Sequence, residues 1–303
     1  MTHGHQKAES MVPTRSTTTT SARHSAPQRR ARTITVACGL VLLAGWGPSA
    51  AAQTPFDHGY ATYGDVLASA LVGSGVDYGR LGGDRATLDR AVAELGQVSA
   101  AEFDRWSRTE QLAYWVNAYN LFTLRVIVDH YPIQGSWFSL YPRNSIRQID
   151  GVWDEISWQA AGRTVTLDEI EHGILRPTFD EPLVHFAINC AALSCPPLRD
   201  EPYLPDTILA QLADSTRKAF AQAGWLQLDG DTLRLTAILD WFSEDFIPRF
   251  AGRVDADRSD RDRALLGLVA EYGPPNVAAL ARAGTPRLRF LKYDWTLNDV
   301  SGS

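Results

Sequence analysis

Thr109 to Tyr131 reads TEQLAYWVNAYNLFTLRVIVDHY and is the strongest helical pattern in the chain. It is apolar on nearly all sides, which marks a central, buried helix rather than a surface one. Pro132 ends it, because proline disfavours helical geometry at the residue before it. Either Ser99 or Ser107 is placed to cap its N-terminal end. At about 100° per residue, Ala113, Asn117, Asn120 and Leu124 fall in one sector, flanked by Glu110 and Arg125. A buried amide without a partner costs on the order of 1–3 kcal/mol, so Asn117 and Asn120 must each bond to something specific. Two readings stand: the amides tie down the backbone of a neighbouring loop, or one of them orients a catalytic group or binds a substrate carbonyl.

Upstream, Phe56 to Gly75 carries a helical stripe closed by glycines, Val76-Asp77-Tyr78 starts an extended segment, and Thr87 to Leu95 predicts a second helix. Downstream the pattern turns irregular and aromatic, with Trp137, Phe138, Tyr141, Trp153 and Trp158. Such density reads as core or as the wall of a pocket. Ala160-Ala161-Gly162 sits between two short extended runs and predicts a hairpin. Thr166-Leu167-Asp168-Glu169 has the form of a capping box for a helix over Leu167 to Leu175. On that helix Asp168, His172 and Arg176 are four apart and line one face as a charge ladder. Glu171 lies on the side that turns inward, where a carboxylate needs a partner.

Leu183 to Leu198, LVHFAINCAALSCPPL, gathers a His, an Asn and two Cys in a short apolar run. Val184, Phe186 and Ile188 alternate with His185, Ala187 and Asn189, the pattern of a half-buried strand that stops in a tight small-residue loop. Further on, Asp206 to Ala221 predicts an amphipathic helix, and Asp229-Gly230-Asp231 predicts a hairpin. Thr236 caps a helix holding Asp240, Trp241, Phe242 and Phe246, Arg253 to Arg263 reads as a solvated loop, and a helix covers Arg261 to Glu271. Leu288 to Trp295 reads as a final strand. The architecture expected is α+β: a helix-rich single domain with a small, mostly antiparallel sheet from strands near Val165, His185, Leu228, Leu235 and Phe290.

The first 52 of the 303 residues read as a targeting segment. A basic region ending in Arg29, Arg30 and Arg32, an apolar run from Ile34 to Trp46 and an Ala-Ala-Ala site are the parts of a secretory signal. Cleavage is expected after Ala52, by the general or the twin-arginine route, leaving one domain over 53–303 in the periplasm or medium. Its removal takes away six cations and one acid, so the formal charge goes from −6 to −11. So acidic a chain is poorly suited to polyanions, and nucleic acid is not an expected partner. No stretch of 53–303 is long enough for a membrane span.

Cys38 lies inside the export signal, which leaves Cys190 and Cys195. In an oxidising compartment they can close a small disulfide loop. Alternatively a thiolate at one of them could act as a nucleophile, given an imidazole base that is itself oriented by an acid or amide. His185 is the nearest base, His172 the other, and Glu171, Asn117 and Asn120 can orient. On a regular strand the odd spacing of His185 and Cys190 points them to opposite faces, so only a bend would bring them together. The His and Cys spacings match no paired-ligand pattern for a metal. Phosphate-cradling glycine loops and the nucleophile elbow are missing too, so neither metal nor cofactor is expected.

In order, LAYWVNAYNLFTL, TLDEIEHGILRP, VHFAINCAALSCPPL, TAILDWFSEDF and KYDWTLN resemble the domain of unknown function 547 family (DUF547) over roughly Phe56 to Asn298. The resemblance implies one domain, an origin among bacterial secreted and periplasmic proteins, and matching positions at Asn117, Asn120, Glu171, His172, His185, Cys190 and Cys195. It further implies a Cys, His and Glu centre similar to papain-like or transglutaminase-like hydrolases. On that basis the chain reads as an exported thiol hydrolase or acyl transferase acting on an amide or peptide-like substrate. Cys190 would be the nucleophile, Cys195 its alternate, His185 the base, Glu171 its orienter, with Asn117, Asn120 and His172 toward the substrate. The alternative is a non-catalytic binding or interaction domain with a structural Cys190–Cys195 disulfide, and a third is a redox protein cycling that bond.

Overall fold

The computed structural model describes residues 55–300, so the signal segment expected over 1–52 lies outside the described residues. The chain begins with α1 (Ala61–Ala70), a two-residue ribbon of β1 (Leu71–Val72) and β2 (Gly75–Val76), and α2 (Tyr78–Gly83). Then come α3 (Arg85–Gln97), the short α4 (Ala100–Phe103) and the long α5 (Arg108–His130). Ser99 caps α4 and Ser107 caps α5, the latter in a full capping box with Glu110. Tyr131 is extended at the other end, as the proline after it requires.

Helix α5 is buried along most of its length and lies against α2, α3 and later segments of the chain. Its polar side chains bond outward, each to a different piece of chain. Tyr114 Oη donates to the Leu95 carbonyl at 2.8 Å, at the end of α3, and accepts from the Ala161 N–H at 2.9 Å. Asn117 accepts from the Tyr203 N–H at 2.9 Å and donates to the Tyr203 carbonyl at 2.8 Å. Asn120 accepts from the Asn189 N–H at 2.8 Å and donates to the Ala187 carbonyl at 2.9 Å. Both asparagines therefore hold loop backbone.

Beyond α5, β3 (Ser157–Ala160) and β4 (Arg163–Thr166) form the expected hairpin. Ala161 and Gly162 turn it with φ of 49° and 71°, the left-handed pair of a two-residue turn. A Cβ on Gly162 would meet the Ala100 nitrogen at 2.4 Å, so glycine is needed there for space as well as for φ. Trp158 stacks on Phe122 of α5 with ring centroids 4.8 Å apart, which fixes the hairpin to the core. The capping box forms as expected: Glu169 N–H donates to Thr166 Oγ1 and Thr166 N–H to Glu169 Oε2. It starts a π-helical turn, Glu169–Leu175, continued by α6 (Arg176–Phe179) with Pro177 in its first turn.

The expected strand over Leu183 to Asn189 does not form. Pro182–Phe186 is a 3₁₀ turn capped by Glu181, and the backbone after it bonds to Asn120 instead of to a neighbouring strand. The alternation VHFAIN therefore marks a fully buried coil, every residue of which is inside. After α7 (Ile208–Phe220) come β5 (Leu226–Asp229) and β6 (Thr232–Leu235). Helix α8 (Ala237–Trp241) is next, capped by Thr236, and then α9 (Ser243–Phe250), α10 (Asp260–Tyr272), α11 (Pro275–Arg282) and β7 (Arg287–Phe290). Strand β6 pairs antiparallel with β5 and parallel with β7. The fold is thus α+β, but among the described residues the single sheet expected is divided into three small ones, with His185 in none of them.

Among the described residues no helix is long and apolar enough to cross a membrane. The aromatic segment after α5 is only partly core: Trp153 and Trp158 pack inward, whereas Trp137 and Phe138 stand exposed.

Replacing Asn117 by Ala would leave the buried N–H and C=O of Tyr203 unpaired. We expect Asn117→Ala to lower stability by roughly 2–4 kcal/mol in urea denaturation; a loss under about 0.5 kcal/mol, the range of ordinary surface substitutions, would contradict the assigned role.

Candidate functional site

The Asn120 clamp sets the direction in which the chain leaves the core. Asn189 continues the work: its Nδ2 donates to the Pro196 carbonyl at 2.6 Å and its Oδ1 accepts from the Ala191 N–H at 2.7 Å. These bonds close a small loop over residues 189–197. Cys190 and Cys195 are joined across it by a disulfide with Cα atoms 6.0 Å apart.

The C-terminal segment is zipped onto this loop. Leu193 N–H donates to the Thr296 carbonyl at 2.8 Å, Asn298 N–H to the Ala191 carbonyl at 3.1 Å, and Asp294 N–H to Ser194 Oγ at 2.9 Å. Tyr293 is carried over the bridge, its hydroxyl 3.0 Å from Cys190 Sγ and 3.1 Å from Cys195 Sγ. Burial raises the Tyr293 phenol pKa, and the nearby Glu171 charge raises it further, so the phenol keeps its proton across physiological pH. Glu171 turns inward as expected and accepts from Tyr119 Oη at 3.2 Å. Burial and the Glu171 charge raise the Tyr119 pKa in the same way.

Beside the bridge the surface is aromatic. Trp241 and Trp295 lie nearly parallel, 15° apart with centroids separated by 6.2 Å, and Tyr293 contacts both at 4.9 and 4.5 Å. Tyr141 meets Trp295 edge-on, and the Arg147 guanidinium sits over both rings. Cys195 also lines a pocket of about 230 Å³, with Asn189, Leu193, Asn298 and the β1–β2 turn.

His185 belongs to a different set of contacts. Its Nε2 lies 2.8 Å from Asp245 Oδ2, and its ring stacks on Phe242 with centroids 4.3 Å apart. Arg176 grips the same carboxylate with two bonds of 2.6 and 2.9 Å, and its guanidinium lies 4.9 Å from the centre of the Phe242 ring. Because an ionised carboxylate only accepts, Nε2 carries a proton and donates. His172 stands between Asp168 at 3.5 Å and Arg176 at 3.1 Å, the exposed ladder that the fourfold spacing suggests. Among the described residues no imidazole is hydrogen-bonded to either sulfur, and in the disulfide neither sulfur is a thiolate.

Residues 103–220 match the profile of the family described as protein of unknown function, DUF547. No curated protein and no solved structure matches the chain. The DUF547 segment runs from the end of α4 through α7 and carries Asn117, Asn120, Glu171, His172, His185, Cys190 and Cys195. It brings Cys190 and Cys195 together, sets Glu171 on Tyr119, and leaves His185 and Asn117 on other partners. Sequence reasoning missed Tyr293, Asp245, Tyr119 and the Trp241–Trp295 pair. Asp245, Trp241, Tyr293 and Trp295 lie beyond the DUF547 match, in the motifs TAILDWFSEDF and KYDWTLN. An aromatic and acidic pattern repeated in two such motifs was the available signal.

Burial alone would push the Asp245 carboxyl up, yet hydrogen bonds from His185 and Arg176 hold it well below the ordinary carboxylate range. A carboxylate held down in this way stabilises fully above its unfolded pKa, about 3.9, and less as pH falls toward its folded value. Asp245→Asn is expected to lose about 3 kcal/mol at neutral pH, with the gap to the parent narrowing below about pH 4. Urea denaturation across a pH series checks this; a gap that stays constant down to pH 2.5 or so, well below that unfolded value, would show that the carboxylate charge is not what holds His185 and Arg176.

Proposed function

We propose that the chain is a non-catalytic binding module of an exported protein, its ligand docking on Trp241, Tyr293 and Trp295 beside a structural Cys190–Cys195 disulfide. One observation carries this reading: both sulfurs are spent on each other under the Tyr293 hydroxyl, with the His185 imidazole engaged elsewhere by Asp245. Thiol chemistry would need the bridge reduced and a base brought to the sulfur. The separate small sheets lend no support to a papain-like or transglutaminase-like arrangement. Export with loss of residues 1–52, leaving a domain over 53–303, fits the bridge, because disulfides persist in the periplasm and in secreted proteins.

The aromatic shelf suits a small or peptide-like ligand. Exposed ring faces offer contact area at low conformational cost, and Glu171 and Tyr293 supply an acceptor and a protonated hydroxyl nearby. The half-exposed Trp241 is the accessible end of the shelf.

Peptides and oligosaccharides screened by tryptophan fluorescence should give a ligand whose binding survives Cys190→Ser/Cys195→Ser and falls on the order of thirty-fold in Trp241→Ala, a hot-spot-sized effect. The double Ser variant should lose about 2 kcal/mol of stability, the closure entropy of a loop this short. Turnover of an amide or ester that vanishes in Cys190→Ser would overturn the binding reading in favour of the hydrolase.

A further inference from the structure

The exposed loop after α5 carries a tip that the aromatic shelf does not use. Between Asp129 and Asp150 the chain has no acid, and Arg143 and Arg147 are its only arginines, in a protein whose formal charge is −6. The loop is held in shape by its own polar groups. Gly135 N–H donates to the Arg143 carbonyl and Arg143 Nε to the Gly135 carbonyl, both at 2.9 Å, which closes its neck. Gln148 Nε2 reaches the carbonyls of Ser136, Tyr141 and Pro142 at 3.4, 3.1 and 3.1 Å. The Arg143 guanidinium lies 4.1 Å from the centre of the Trp137 ring.

This frame presents an apolar face. Trp137, Phe138 and Leu140 are 79, 99 and 98% exposed. A loop with a formed hydrogen-bonded neck is not collapsing these side chains onto the core; it holds them out. Large apolar patches facing water mark interaction surfaces. Aromatic side chains at a tip, with arginines behind them and no carboxylate among them, match the chemistry of a bilayer interface. There Trp and Phe settle among the headgroups while guanidinium groups meet lipid phosphates.

We propose that residues 135–143 dock on the surface of a bilayer containing anionic lipid, with Trp137, Phe138 and Leu140 entering the interface and Arg143 and Arg147 facing the phosphates. The contact is peripheral; its apolar tip stands apart from the shelf, while Arg147 is shared with it, lying over Tyr141 and Trp295. Both parts of the signature are needed. The apolar tip supplies the buried area, and the arginines account for selection of anionic lipid despite the negative charge of the whole chain.

The test is co-sedimentation of the full chain with vesicles of phosphatidylglycerol and phosphatidylcholine, against phosphatidylcholine alone. Parent and variant share residues 1–54, so a difference between them reports the loop. We expect binding to the anionic vesicles that weakens on the order of ten-fold in Phe138→Ser/Leu140→Ser. The melting temperature should not change, since both side chains face solvent. Arg147→Gln should reduce the preference for anionic vesicles while leaving the apolar tip intact. Equal sedimentation of parent and double variant, or no vesicle binding by the parent, overturns the proposal. So does a parent dimer that the double variant abolishes, which would assign the tip to a second copy.

Discussion

A polar side chain on a buried helix has to find a partner, and α5 uses that requirement to organise the rest of the protein. Tyr114, Asn117, Tyr119 and Asn120 fall within about two turns, and each bonds to a segment distant in sequence: the end of α3 and the hairpin turn, the Tyr203 loop, Glu171, and residues 187–189. The hairpin turn, the Tyr203 loop and residues 187–189 are irregular at the point of contact, while Leu95 and Glu171 sit in helical turns. The helix supplies the bonds that a sheet would otherwise give to extended backbone. This is how the described residues, with three small sheets, keep a long irregular run, 183–198, in one place.

The site inherits its geometry from that run. Asn120 fixes residues 187 and 189, Asn189 closes the loop behind them, and the C-terminal segment is bonded to the loop from Leu193 to Asn298. Tyr293 then arrives over the disulfide with its hydroxyl near both sulfurs. Two separate polar systems result. One is the bridge with Tyr293, Glu171 and Tyr119. The other is His185 with Asp245 and Arg176, packed on Phe242, where the charges are paired and the imidazole is turned away from sulfur. Sequence proximity of His185 to Cys190 suggested one centre, and the fold makes two.

Much of the local structure was legible. Helix α5, its Ser107 cap, the Thr166–Glu169 box and both longer hairpins depend on residues within a few positions of one another, and their signals are local. The inward turn of Glu171 could be read from the same periodicity. The run 183–189 misled because alternation of apolar side chains reports burial, not pairing; a coil enclosed on all sides shows the same alternation as a strand. Pro182 and the Glu181 cap, which start the 3₁₀ turn, were the local clue. Asp245 and Tyr293 were beyond reach for another reason. Their partners lie 60 and about 100 positions away, so the aromatic and acidic motifs around them marked a pattern without showing what either residue would meet. The family match includes α5 and the cysteine loop but stops before both residues.

The central claim is that the disulfide loop is an extension of the α5 core. Hydrogen exchange of individual backbone amides tests it most directly. If Asn120 holds the loop as described, the amides of Asn189 and Ala191 open only with global unfolding and match the most protected amides of α5. Fast exchange at Asn189 and Ala191 while α5 stays protected would mean that the loop opens on its own, and the account would be contradicted.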